Sequence, residues 1–302
     1  MKVIYFYIYS KKYGSGHYKR AVNHKNFFQS ESHICKIEKF KFNNMIKNEK
    51  IRDFDYIFLD ITNEKLFKNK TLLKKIVYFI NIYKNKIVII DGLGKYQLNN
   101  LSWEMCNSVI YPYFCSKNSV KKKRKVKYFI GYKYMINNFA KDKRKIKKNI
   151  KNILFTSGGS DLNNSSFKFI RLFSKLKLSE LNLYMIQGIF TKKKYFDKIK
   201  KFAFLSKINL KILSFKKDIK HNLKNIDLVI SSSGLTKYDL MSIKIPMIIY
   251  SENKLFDKLN NSFKLINLCP NLSNLNINKI NIDKVKNYIL NYNLRLRTLN
   301  KI

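Results

Sequence analysis

The chain has 302 residues, 45% hydrophobic and 15% aromatic, with 62 Lys and Arg against 19 Asp and Glu. That apolar content excludes a disordered chain, and the length exceeds a usual domain of about 150 residues, so two folded units are expected. A formal net charge of +43 points first to nucleic acid or anionic lipid, yet only Arg20, Arg52, Arg124, Arg144, Arg171, Arg295 and Arg297 are arginines, and Arg is the side chain suited to bidentate phosphate and base contacts.

The lysines are scattered through every segment beside Asn, Ile, Phe and Tyr. That pattern reads as codon drift in an AT-rich coding sequence, and no nucleic-acid partner is expected. The start, Met1 to Ser10, is too short and too aromatic for a signal peptide, and no run reaches the roughly 18 apolar residues of a membrane span. A cytoplasmic protein with no integral membrane segment is expected.

In chain order, the first half offers short apolar strands at Val3–Tyr9, Tyr56–Asp60, Lys86–Asp91, Ser108–Tyr111 and Tyr128–Ile130, with a helical pattern at Leu72–Ile82. The second half repeats the scheme, with strands at Ile153–Thr156, Leu183–Ile186, Leu210–Leu213, Leu228–Ser231 and Pro246–Tyr250. Helical patterns fall at Ser166–Leu176, Lys194–Leu205 and Thr236–Ile243. Apolar runs that are continuous rather than alternating are those of parallel strands covered on both faces. The fold class is therefore α/β, with two Rossmann-like domains at 1–148 and 149–302. The basic run from Lys121 to Arg124 and the stretch Lys141–Asn152 read as a solvated junction between them.

Cys35, Cys106, Cys115 and Cys269 have no CxxC spacing and read as reduced core residues. His17, His24, His33 and His221 lack zinc-ligand spacing, so neither a metal nor a cofactor is expected.

Glycine is scarce at 9 residues, below the usual share of about 7%. Seven of them, Gly14, Gly16, Gly92, Gly94, Gly158, Gly159 and Gly234, fall just past predicted strands. Carboxyl ends of strands are where open α/β sheets bind ligands, and glycine there lets backbone approach a phosphate. Tight strand-to-helix turns also use glycine for geometry alone.

Three motifs carry the chemistry. Gly14-Ser15-Gly16-His17, with Arg20, opens a helix running toward Phe28. It puts an imidazole at a positive dipole end, which disfavours the imidazolium and suits a proton acceptor; a histidine capping its own helix is the alternative. Ser157-Gly158-Gly159-Ser160-Asp161 looks like a phosphate cradle, but no Gly-Lys-Ser/Thr follows, which disfavours ATP hydrolysis. Ser232-Ser233-Gly234 with Thr236 suits a diphosphate. Asp239, about one turn further, could accept from ribose hydroxyls or merely stabilise the helix start.

Together with Pro246 and Glu252-Asn253, these motifs occur in an order that resembles the nucleotide-sugar hydrolase of pseudaminic acid biosynthesis and related spore-coat polysaccharide proteins. Tyr128-Phe129-Ile130-Gly131-Tyr132-Lys133-Tyr134 is similar to that family's Gly-Pro-Lys-Tyr segment. The family is in turn similar to the peptidoglycan N-acetylglucosaminyl transferase, with its GT-B architecture of two Rossmann-like domains facing across a cleft. The resemblance implies metal-independent hydrolysis of a UDP-linked 2,4-diacetamido-2,4,6-trideoxy-altrose, with His17 directing water to the anomeric carbon. It implies substrate contacts from Gly14, Ser15, Gly16, Arg20 and Asp60, and UDP contacts from Gly158, Gly159 and Ser160. Ser233, Gly234 and Thr236 would serve the diphosphate, Asp239 the ribose, and Glu252 and Asn253 would close the site.

The chain departs from the family at several positions. Asp60-Ile61-Thr62 stands where Asp-His-Tyr is common, Asp91-Gly92 where Asp-Asp is, Lys254 for Gln and Asp239 for Glu. A UDP-sugar-dependent glycosyltransferase of surface polysaccharide assembly is the alternative reading, with a sugar hydroxyl replacing water.

Overall fold

The computed structural model describes residues 1–9, 16–41, 49–61, 69–90, 106–113, 125–136, 144–159, 161, 163–178, 180–215, 219–252, 257, 260–261, 269–274 and 280–300. The chain divides into two compact units, Met1–Asn138 and Phe139–Ile302. Among the described residues no helix is long and apolar enough to cross a membrane.

The first unit holds β1 (Lys2–Tyr7), α1 (Gly16–Ser30), β2 (Ile34–Lys39), β3 (Tyr56–Asp60), α2 (Lys70–Ile82), β4 (Ile87–Ile90), β5 (Ser108–Tyr111) and β6 (Lys127–Ile130). Its sheet has the order β2-β1-β3-β4-β5-β6, all parallel. The second unit holds β7 (Asn152–Thr156), α3 (Ser165–Lys175), β8 (Asn182–Gln187), α4 (Lys193–Leu205), β9 (Leu210–Ser214), β10 (Leu228–Ser232), α5 (Thr236–Ser242), β11 (Met247–Ser251), β12 (Asn271–Asn274), α6 (Ile282–Leu290) and α7 (Tyr292–Leu299). Its sheet runs β12-β11-β10-β7-β8-β9, again all parallel. Two parallel α/β sheets are what the continuous apolar runs predict.

The reason is visible in β1. Ile4 and Phe6 pack on one face with Leu59, Ile89 and Phe79. Val3 and Tyr5 pack on the other with Phe58, Val88 and Ile90. A strand buried on both sides must be apolar at consecutive positions, and each such side chain contributes about 1.5–3 kcal/mol of burial. In the second unit Phe155 of β7 stacks on Phe169 of α3, with ring centroids 4.4 Å apart.

Each sheet reverses its strand order once. In the first unit the chain steps from β1 to β2 on one side and then places β3 onward on the other; in the second it steps from β7 through β8 to β9 on one side and then places β10 onward on the other. The crevices at the carboxyl ends of β1 and β3, and of β7 and β10, are thus the topological switch points where such sheets bind ligands. The sequence motifs with His17, Asp60, Gly158 and Gly234 fall at these points. Gly131 comes directly after β6 and Gly188 directly after β8.

Several elements carry too weak a pattern to be predicted. β2 is an edge strand exposed along much of its length, and β12 reads Asn-Leu-Ser-Asn, so neither has a strong apolar run. The Lys141–Asn152 stretch also differs from a free linker. Its described part is pinned to the second unit: the Arg144 guanidinium donates to Ile226 O (3.0 Å) and Lys224 O (2.9 Å), and Arg295 donates to Lys148 O (2.7 Å). Backbone carbonyls need donors, and arginines supply them here. The division into units falls between Asn138 and Phe139. Cys35, Cys106 and Cys269 are buried; Cys115 and the run Lys121–Arg124 lie outside the described residues.

Candidate active site

Asp60, the last residue of β3, is fully buried and is the hub of the first unit's switch point. Its Oδ1 lies 2.7 Å from His17 Nδ1 and accepts from Arg20 Nη2 at 2.5 Å. Its Oδ2 accepts from Tyr5 OH at 2.8 Å and from Arg20 Nε at 2.6 Å. A carboxylate has about four acceptor sites, and all are used. The remaining arm of Arg20, Nη1, donates to the hydroxyl of Tyr113, just past β5. Burial alone would raise the Asp60 pKa, but Arg20 and then His17 outweigh it and hold the carboxyl well below its usual range. Asp60 is therefore a permanent anion.

This fixes the tautomer of His17. If Nδ1 were unprotonated, its lone pair would face a carboxylate oxygen at 2.7 Å, which is repulsive. Nδ1 therefore carries the proton and donates, so that in the neutral ring Nε2 is the acceptor nitrogen. Arg20 Nη2, 3.3 Å from Nδ1, is then a neighbour rather than a donor to it. The His17 side chain keeps 15% exposure in the first turn of α1.

Beneath the hub, His24 Nδ1 donates to Arg20 O at 2.9 Å, and its ring lies 5.1 Å from that of Tyr5. Burial pushes the His24 pKa down to about 4, so this second imidazole is a neutral core residue. Tyr5 stacks on Phe58 with centroids 5.7 Å apart. An aromatic floor of this kind lowers the local dielectric and strengthens the ion pair above it.

The resemblance puts Arg20 and Asp60 against substrate; in the structure they are 2% and 0% exposed, pair with each other, and Asp60 lies against His17. Gly16 is the first residue of α1, while Gly14 and Ser15 lie outside the described residues. Tyr5 and Tyr113 escape sequence reasoning, because an isolated tyrosine carries no signal until the fold brings it to Asp60 and Arg20.

The second unit builds a different kind of site. Gly158 follows β7 with φ +78, a left-handed conformation, and its amide donates to Thr156 Oγ1 at 3.2 Å. The loop after β8 closes on this turn: Phe190 N donates to Gly159 O at 3.0 Å. Gly188 is pressed so close that a Cβ there would meet Gly158 O at 2.6 Å and Gly159 O at 2.7 Å. Across the switch point, the Ser232 hydroxyl lies 3.8 Å and 3.9 Å from where Cβ atoms on Gly158 and Gly234 would stand. The two glycine turns thus share one small-residue wall. Ser157 Oγ, buried there, has no hydrogen-bond partner among the described residues.

Asp161 anchors this wall. It accepts from Ser165 N (2.6 Å) and Ser166 N (2.9 Å) at the start of α3, where a negative charge suits the helix dipole, and from Tyr195 OH (2.9 Å). Glu252, just past β11, is half-buried; burial and then the charge of Asp161 push its pKa up to about 7.

Ser233, expected at a diphosphate, has its side chain inside the protein. Its hydroxyl donates to Tyr250 O (2.9 Å) and accepts from Asn260 Nδ2 (2.7 Å), inside a buried polar network that also takes Lys237 Nζ onto Asn260 Oδ1 at 2.8 Å. Gly234 is exposed and Thr236 is half-buried, whereas Asp239, within α5, is only 3% exposed. Ser160 and Asn253 lie outside the described residues. The structure thus brings Gly158, Gly159 and Gly234 to one switch point, and it commits the side chain of Ser233 elsewhere.

Comparison with known proteins accords with this architecture. No protein-family model matches the chain. The uncharacterized protein MJ1062 of Methanocaldococcus jannaschii is 29% identical over 266 residues, 78% of this chain and 50% of that protein; the chain spans half the length of this curated relative. Among solved structures, Acinetobacter baumannii MurG superposes with a TM-score of 0.64 at 12% identity, covering 100% of this chain and 94% of that one. Anabaena Alr3699/HepE in complex with UDP and glucose gives 0.63 at 12% identity, covering 100% and 93%. The S. aureus MnaA-UDP structure gives 0.63 at 11%, covering 100% and 91%. The fold is that of the GT-B glycosyltransferases.

Proposed function

We propose that the chain is an enzyme acting on a UDP-linked sugar, and that it hydrolyses the sugar–diphosphate bond, releasing UDP and a free sugar of the diacetamido-trideoxy type. The observation that carries the chemistry is His17, held by the permanent anion Asp60 as the Nδ1–H tautomer. In the reaction, Nε2 accepts a proton from water as the water oxygen bonds to the anomeric carbon and the bond to the diphosphate oxygen breaks. Asp60 stabilises the imidazolium that forms without taking its proton. The second unit's motifs hold the nucleotide, with the backbone of Gly158, Gly159 and Gly234 approaching the phosphates and Thr236 and Glu252 beside them. UDP in the HepE and MnaA structures supports the choice of nucleotide. A substrate of this kind places the activity in the cytoplasm.

Transfer to a sugar hydroxyl is the second reading, favoured by the GT-B glycosyltransferases that share the fold. It uses the same base and donor site. The test is to incubate pure protein with a UDP-linked diacetamido sugar and measure UDP. Hydrolysis releases UDP with no acceptor present. Release only on adding an acceptor establishes transfer. His17→Asn is expected to abolish turnover with UDP affinity nearly unchanged, and a large loss of UDP affinity would make His17 structural.

A further inference from the structure

Among the described residues of the second unit, large hydrophobics are strongly exposed at Phe204 (83%), Leu205 (70%), Leu290 (56%) and Ile189 (46%). Phe204 and Leu205 are adjacent at the end of α4. A helix that joins two parallel strands runs back antiparallel to them, so the carboxyl end of α4, which joins β8 to β9, lies at the amino-terminal end of the sheet. This is the end opposite the glycine turns.

The same end is basic. Lys177 and Lys207 follow α3 and α4, and Lys151 precedes β7; all are exposed. On the solvent face of α4, Lys201 and Lys198 lie about one and two turns before Leu205. Asp197 on this helix lies 4.0 Å from Lys200, and Glu180 is exposed after α3. The apolar pair cannot fold back into the core, because the helix end is closed. Lys207 adopts φ +52 and Ile208 N donates to Ala203 O at 2.9 Å, while the opposite helix face is taken by Phe196, Ile199 and Ala203.

We propose that this end of the second unit docks on an anionic bilayer, with Phe204 and Leu205 entering the headgroup–acyl boundary and the surrounding lysines meeting lipid phosphates. Charge complementarity selects the partner. Lysines around protruding apolar side chains are the pattern of interfacial binding. A nucleic-acid surface would have no use for an aliphatic pair, and arginine, its preferred contact residue, is scarce here.

The test uses the full chain and vesicles of phosphatidylcholine with or without phosphatidylglycerol. Phe204→Trp is expected to shift its added emission to the blue, and to be quenched by brominated acyl chains, only with anionic vesicles. The pair Phe204→Ser and Leu205→Ser, at exposed positions, is expected to keep the unfolding temperature and to lose at least about tenfold in vesicle affinity. The proposal is overturned if the emission does not move, if the serine variant binds vesicles as well as the parent, or if single-stranded RNA produces the same shift.

Discussion

Gly188 has no space for a side chain: the carbonyl oxygen of Gly158 stands 2.6 Å from the position its Cβ would occupy. The backbone atoms it would strike belong to the turn assigned to the phosphates, so the residue shapes that turn from a neighbouring strand. Gly188→Ala is expected to destabilise the protein by about 1–3 kcal/mol through overpacking. It should also weaken UDP binding. Thermal unfolding and calorimetric titration with UDP check this, and unchanged affinity would detach Gly188 from the site.

Asp60 and Arg20 can be separated from the fold by a double substitution. Asp60→Asn alone leaves Arg20 as a buried cation short of its partner, a loss expected to cost about 3–5 kcal/mol. Adding Arg20→Met removes that cation and should restore much of the stability. Turnover should stay depressed, because His17 has lost the anion that fixes its tautomer, and the amide can present either a donor or an acceptor to Nδ1. Denaturant melts and UDP-release rates on both variants are the readout; recovery of turnover with stability would reduce Asp60 to a structural residue.

Glu252 makes a pH-dependent contribution. Its pKa rises from 4.5 to about 7 on folding, so the folded state holds the proton more tightly than the unfolded chain does. Stability from this group is full below about pH 4.5 and is lost as pH rises through about 7. Glu252→Gln should therefore stabilise by about 1–3 kcal/mol at pH 8 and have little effect at pH 4.5. Unfolding temperatures measured across that range would refute the assignment if the difference were independent of pH.

Helix ends carry avoidable strain. Ser32, Lys177, Lys207 and Lys244 adopt φ between +51 and +59 just past α1, α3, α4 and α5, in the position usually given to glycine. Ser32→Gly and Lys244→Gly are each expected to stabilise by about 1 kcal/mol. Denaturant titration decides the matter, and destabilisation by either would show that its side chain makes compensating contacts.

The scarcity of glycine makes the site legible in the sequence. With helix ends served by Lys and Ser, all five described glycines outside α1, namely Gly131, Gly158, Gly159, Gly188 and Gly234, lie just past strands. A glycine following an apolar run therefore marks the carboxyl end of a sheet strand in this chain. The special role of Gly188 has no such local signal, since its reason is a backbone contact with residues about 30 positions earlier.

By itself the sequence determined the α/β class and the parallel sheets, because strands buried on both faces must be apolar at consecutive positions. It also determined that His17 opens a helix after the first strand. Only the tertiary structure decided what Asp60 and Arg20 do: their roles follow from proximity across 40 residues of chain, which no local pattern encodes. The same holds for Ser233, whose hydroxyl is claimed by Asn260 from 27 residues away. Local periodicity fixes which face is buried, whereas the partner of a buried polar group is chosen by whichever distant segment the sheet order brings beside it.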